Sequence, residues 1–208
     1  MSTKERILET SLLLFNEFGT ESVTVRHIAE RMHISHGNLC YHYPNKEALI
    51  IALYEQLVNQ LNQKVTHYIG KEISIIDMQA SLIFVISLFY KYKFLMQNFT
   101  NIMRIIPYIR EHYIQICIQR KKEFQMIHNQ LIHNNILIPE PYKGAYDALY
   151  IRVHMMGDFW IPFADIHLQG SDNEKIQQFV NQIFELYFPY FTNDTKLLFH
   201  NLNSNNSI

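Results

Sequence analysis

Apolar positions recur at helical spacing along most of this chain. Leu49, Leu53, Leu57, Leu61 and Val65 return every fourth residue, so a long helix with one apolar face begins after Pro44 and would join two parts of the chain. Gly70 is expected to end it. A second long helix is predicted over 73–97, and a third from Tyr108 to Asn134, starting just past Pro107. Ile138-Pro139-Glu140-Pro141 reads as a turn. Two further helices are expected over 143–166, with a kink or end at Pro162, and over 173–190. We find no internal repeat and no strand-like alternation of useful length, so the predicted class is all-α. The stretch 192–208, rich in Asn and Ser, is expected to fray.

The N-terminal pattern is denser in punctuation. Ser2-x-x-Glu5 can form a capping box that opens a helix running to Phe18, where Gly19 stops it. Thr24, Ser35 and Asn45 each precede an apolar-periodic run, and a side-chain oxygen there satisfies the free N–H groups that open a helix. Met32-His33-Ile34 is only long enough for a turn. Ile28, Ala29, Met32, Ile34 and Leu39 supply an apolar wedge that would hold the two flanking helices at a steep angle. This is the arrangement of a helix-turn-helix, whose second helix presents its N-terminal residues to base edges. Those residues are His36, Gly37, Asn38 and Tyr41.

The run SHGNLCYHYPNKEAL, preceded by TVRHIAERM and TKERILETSLLLFNEFG, resembles the N-terminal domain of the TetR family of bacterial repressors from Thr3 to Leu49. The resemblance implies an Ω-shaped, all-helical homodimer. Its parts would be a three-helix DNA-binding domain at 1–48 and a helical ligand-binding and dimerisation domain at 49–191. It assigns Thr24 and Arg26 to phosphates beside the groove, Asn38 and Tyr41 to the recognition surface, and His42 and Lys46 to phosphates again. With Ser35, His36 and Gly37 these complete the expected DNA-facing set. Two positions depart from the pattern: many members carry a Lys or another long polar residue where this chain has His36, and a Tyr where it has Cys40. The operator sequence therefore does not transfer from a relative.

Charge adds no support. From Met1 to Leu49 five cations (Lys4, Arg6, Arg26, Arg31, Lys46) face six glutamates (Glu5, Glu9, Glu17, Glu21, Glu30, Glu47), a balance of 5 − 6 = −1. A DNA binder usually shows a basic footprint. Placement offsets this, because Arg26, His36, His42 and Lys46 lie in or beside the motif, and helix N-termini attract phosphate without formal charge. The whole chain, 208 residues with 48% hydrophobic content and net charge −1, can bury a sizeable core. Its two cysteines, Cys40 and Cys117, suit a reducing cytoplasm, and Lys4, Glu5, Arg6 and Glu9 interrupt any secretory core. Ala80 to Tyr90 is apolar but well short of the roughly 20 residues of a membrane span. His33, His36 and His42 lack a Cys or carboxylate at metal-site spacing, and no nucleophile–base pair, paired carboxylates or phosphate loop is recognisable in the sequence. No metal, cofactor or enzymatic activity is expected. Arg120-Lys121-Lys122 spreads around a helix and reads as a solvated face.

Two expectations concern the remainder. Phe84, Leu88, Tyr92, Phe94, Phe99, Tyr113, Met155, Met156, Phe159 and Trp160, with Arg152, His154 or Asp158 to orient a ligand, are candidate linings of an effector pocket, although ordinary packing explains any single one more readily. Ile176, Phe179, Val180, Ile183, Phe184 and Tyr187 form an apolar stripe, and Ala145 and Ala148 would let a helix approach closely. Periodicity alone fits a dimer seam or an internal core equally; the resemblance favours the seam, since a palindromic operator needs two protomers. The expected partners are a duplex DNA operator, a second copy of the chain and a small, largely apolar effector that releases a repressor. A protein partner acting on the same fold is the alternative.

Overall fold

The computed structural model describes residues 2–68 and 72–204. Eleven α-helices and a short 3-10 helix (Phe188–Tyr190) are present among them: α1 (Thr3–Ser22), α2 (Val25–Arg31), α3 (His36–His42), α4 (Lys46–Tyr68), α5 (Ile75–Lys91), α6 (Lys93–Gln97), α7 (Phe99–Ile105), α8 (Pro107–His133), α9 (Ala145–His167), α10 (Asp172–Tyr187) and α11 (Asn193–Ser204). The described residues contain no strand, only an isolated bridge between Leu137 and Phe191. Gly70 lies outside the described residues. The chain packs as two compact units, one of Met1–Asn62 with Leu88–Tyr113 and the other of Gln63–Ser87 with Ile114–Ile208.

In the first unit α1 buries Ile7, Leu8, Leu12 and Phe15, one face of a helix opened by the Ser2–Glu5 capping box. Gly19 interrupts α1 with φ 75°, a left-handed value that favours glycine. Leu49, Leu53 and Leu57 of α4 are buried as their spacing predicts. The helix expected over 73–97 is instead broken at Tyr92, and the chain beyond it turns through α6 and α7. Asn16 supplies the reason: its amide donates to the Lys91 carbonyl at 2.9 Å, and its carbonyl accepts from the Phe94 N–H at 3.1 Å. A side chain 75 and 78 residues away thus satisfies backbone groups that continuing the helix would otherwise have paired. Phe94 then stacks against Phe15, with centroids 5.2 Å apart.

In the second unit Pro162 does not end α9, which continues to His167. An internal proline costs about 3 kcal/mol, but Trp160, Ile161 and Ala164 around it are buried, and their burial outweighs the loss. The tail expected to fray is helical from Asn193 to Ser204. Thr192 caps it by accepting from the Thr195 N–H, and Phe199 is buried with its ring stacked 5.5 Å from Phe184. The apolar stripe of α10 lies in the chain's own core: Ile176, Phe179, Val180, Ile183, Phe184 and Tyr187 are all buried, as is Ala145, while Ala148 is half-buried. Of the expected seam residues, Ala148 keeps surface in the protomer.

At the centre of this unit His128 is buried. Its Nδ1 donates to the Phe124 carbonyl at 2.8 Å, so its Nε2 must accept from the Tyr187 hydroxyl at 3.0 Å. Burial lowers the imidazole pKa to about 4 and raises that of the Tyr187 phenol. An unfolded histidine binds its proton near pH 6.5, above the folded value, so acid favours unfolding. Stability from this site is fully present above about pH 6.5 and is lost on approach to pH 4, by about 3 kcal/mol. Urea denaturation at pH 7 and pH 4 should show that loss in wild type and a smaller one in His128→Gln; equal losses would show that His128 is not responsible.

Candidate nucleic-acid interface

The helix-turn-helix is built from local signals that act together. The Thr24 hydroxyl caps α2 by accepting from the His27 N–H at 3.2 Å, and the His27 ring accepts in return from the Thr24 N–H. Ser35 caps α3 through the Asn38 N–H at 3.1 Å, and Asn45 caps α4 through the Ala48 N–H at 2.9 Å. Between α2 and α3 the Ile34 N–H reaches the Ala29 carbonyl and the His33 N–H reaches that of Glu30, both at 3.1 Å. Together these bonds form the Schellman motif that ends α2. It places His33 at φ 54°, a left-handed conformation normally given to glycine. The turn was legible from its length, but this role for His33 was not, because histidine carries no glycine-like signal.

Of the predicted wedge, Ile28, Ala29, Met32 and Leu39 are buried and Ile34 is half-buried. Leu39 has no exposed surface, whereas His36, Gly37, Asn38 and Tyr41 around it are exposed. Tyr41 is 86% exposed, so a large ring stands in solvent on this face. It meets His42 edge-on at 5.2 Å. Cys40 and His42 are half-buried, and the Cys40 sulfur lies 3.5 and 3.7 Å from the two ring nitrogens of His36.

Thr24 and Arg26 are exposed on the first turn of α2, and Ser35 is exposed at the α3 N-terminus. Lys46 is half-buried, and its ammonium donates to the Thr20 carbonyl at the end of α1. Thr24, Ser35 and Lys46 thus have structural duties beside any contact with DNA. All nine residues of the expected DNA-facing set fall in the segment from α2 to the start of α4.

The effector-pocket residues do not share one unit. Leu88, Tyr92, Phe99 and Tyr113 belong to the first, and Phe84, Arg152, Met155, Met156 and Phe159 to the second. Leu88 and Tyr92 are buried, the Tyr92 hydroxyl accepting from the Gln60 amide at 2.9 Å, and Phe99 packs edge-on against Tyr113. Arg152 is exposed and bonds back to the Ala148 carbonyl at 3.1 Å. Met155 and Phe159 face solvent on α9 with Ile151, Phe163 and Ile166. This exposed apolar row at steps of three and four was readable in the sequence, but the pocket reading absorbed two of its members. A groove of about 460 Å³ in the second unit is lined by His154 among these candidates and by none of the apolar ones.

A three-helix DNA-reading motif at the head of an all-helical chain defines a class of regulators. Comparison with known proteins makes the class specific. The family profile "Bacterial regulatory proteins, tetR family" matches residues 7–53, and the TetR profile "Bacterial transcriptional repressor" matches residues 53–199. This chain belongs to the TetR family of bacterial transcriptional regulators, a family of regulators rather than enzymes.

Among curated relatives, the class C tetracycline repressor protein of Escherichia coli is 38% identical over 55 residues, 26% of this chain and 25% of that protein. The HTH-type transcriptional regulator RutR of Escherichia coli K12 is 39% identical over 56 residues, 27% of this chain and 26% of that protein. The chain thus covers about a quarter of the length of either relative. A TetR-family regulator from Marinobacter aquaeolei VT8 superposes with a TM-score of 0.90 at 24% identity, covering 99% of this chain and 98% of that one. A SmeT–triclosan complex gives 0.64 at 14% identity, covering 94% of each chain. At these identities the likeness is one of fold.

A residue held at positive φ tests the turn. His33→Val adds β-branching at a left-handed position and should cost about 1–2 kcal/mol, whereas His33→Gly should match or exceed wild type. Thermal unfolding of the two variants checks this; equal midpoints would remove the assigned strain.

Proposed function

We propose that this protein is a sequence-specific DNA-binding repressor. The observation that carries the reading is the exposed face of α3, where Asn38 and Tyr41 stand in solvent beside a fully buried Leu39. In this reading α3 enters the major groove of an operator. Asn38 and Tyr41 meet base edges, His36 and Gly37 lie at the helix N-terminus close to the DNA, and Thr24, Arg26, Ser35, His42 and Lys46 hold the phosphates. Lys46 does so while keeping its bond to Thr20, since an ammonium has three donors.

The repressor acts as a homodimer on a palindromic site. We place the seam on the exposed row of α9, Ile151, Met155, Phe159, Phe163 and Ile166, because a contiguous apolar face of this kind marks an interaction surface. A small, largely apolar effector releases the dimer from DNA, as the tetracycline repressor's name and the SmeT–triclosan complex suggest by analogy. Coupling of this kind is typically about 1–3 kcal/mol, or roughly 5–150-fold in affinity, and acts equally in both directions.

Two measurements test the proposal. An Asn side chain bonds an adenine edge in bidentate fashion, worth about 1–3 kcal/mol of discrimination, while a phosphate contact carries no sequence information. Once genomic selection has identified the operator, Asn38→Ala should relax its preference, and Arg26→Ala should weaken operator and random DNA alike with a shallower salt slope. Equal losses on both DNAs for Asn38→Ala would refute the base-reading role. For the seam, Phe159→Glu should convert the dimer to monomer in sedimentation while retaining helical content. A variant that stays dimeric would move the seam elsewhere.

A further inference from the structure

Cys117 and His154 lie together in the second unit, whereas the DNA-facing residues belong to the first. The Cys117 sulfur is 3.3 Å from His154 Nε2, and that nitrogen is 3.8 Å from Asp158 Oδ2. Tyr150 fixes the pair: its ring stacks on the His154 imidazole at 5.3 Å, and its hydroxyl donates to the Cys117 carbonyl at 2.9 Å. Burial pushes the Tyr150 phenol up to about 12, so it stays neutral at ordinary pH. Both partners line the groove of about 460 Å³, whose walls are almost wholly apolar and also include Ile118, Tyr150, Gln125 and the side-chain stems of Lys121 and Lys122. Lys121 is paired with Asp147 at 3.0 Å, whereas Lys122 is exposed.

Cys40 makes a useful contrast. Its sulfur is nearly equidistant from both nitrogens of His36, at 3.5 and 3.7 Å. At Cys117 the sulfur lies 3.3 Å from His154 Nε2, within reach for an imidazole to take a thiol proton.

We propose that Cys117 and His154 form a nucleophile–base pair that captures conjugated carbonyl compounds of the enone class as covalent adducts in this groove. His154 Nε2 takes the Sγ proton, with the Asp158 carboxylate 3.8 Å from that nitrogen. The thiolate lone pair forms a C–S bond at the β-carbon while the carbon–carbon π pair shifts to give an enolate. The imidazolium proton then goes to the α-carbon. The net result is addition of S–H across the double bond, with no oxidant or further reactant. Charged and titratable groups around the pair are Arg120, Lys121, Lys122 and Glu123 on α8, and Asp147, Tyr150 and Asp158 on α9. Asp147, held low by its Lys121 hydrogen bond, and Tyr150, pushed up to about 12 by burial, keep their charge states from about pH 6 to 9.5, and the rate profile is followed in that window.

The test uses the whole protein and needs no DNA. Methyl vinyl ketone is added at pH 6 to 9.5, and adduct formation at each cysteine is followed by mass spectrometry, with Cys40 as internal reference. At pH 7 Cys117 should react at least about tenfold faster than Cys40, with its rate inflecting below the ordinary thiol value of about 8.5. His154→Gln should slow Cys117 by about tenfold at pH 7 and return the inflection to about 8.5, with rates converging at pH 9.5. Asp158→Asn should shift the inflection upward by less. Equal rates at the two cysteines, or a Cys117 profile unchanged in His154→Gln, would overturn the proposal. Should His154→Gln lose its helical circular dichroism, the wild-type profile decides: an inflection at or above 8.5 overturns it and a lower one supports it.

Discussion

The exposed recognition face depends on one buried leucine. α3 has seven residues, too few for a helix to persist in water on its own backbone bonds. What holds it is Leu39, fully buried against the wedge that includes Ile28 and Ala29, together with the Ser35 cap and the Schellman turn at His33. Each contributes on the order of 1 to a few kcal/mol, and together they fix the rotation of the helix about its axis. That rotation decides which side chains meet solvent. With Leu39 inward, Asn38 and Tyr41 must face out.

The same logic of two faces governs the second unit. α9 buries Ala145, Leu149, Trp160, Ile161 and Ala164 on one side and exposes Ile151, Met155, Phe159, Phe163 and Ile166 on the other. A helix apolar on both sides has more than its own protomer to cover it, and the outer row is the surface left over once the core is complete. α10 behaves differently: its apolar stripe is spent inside the chain and its outer face is polar, with Gln177, Gln178, Asn181, Gln182 and Glu185 exposed. The buried His128–Tyr187 bond joins α8 to α10 and leaves the imidazole's two nitrogens satisfied. Polar groups so enclosed are costly unless paired, which makes this pairing a constraint on how those helices fit.

Helix class, the caps at Ser2, Thr24, Ser35 and Asn45, and the turn at 32–34 were determined by the sequence alone, because each rests on residues within a few positions of one another. The outward set on α3 was legible for the same reason, since a buried Leu39 and a capped start leave little freedom in so short a helix. Only the tertiary structure decided the rest. The break at Tyr92 comes from Asn16, far away in the chain, and no local signal announces it. Helix through Pro162 and helix beyond Thr192 follow from burial of Trp160, Ile161 and Phe199. The α10 stripe and the α9 row have the same helical periodicity; one is core and the other surface. Periodicity tells which face of a helix is apolar, but what covers that face is set by which other segments fold against it.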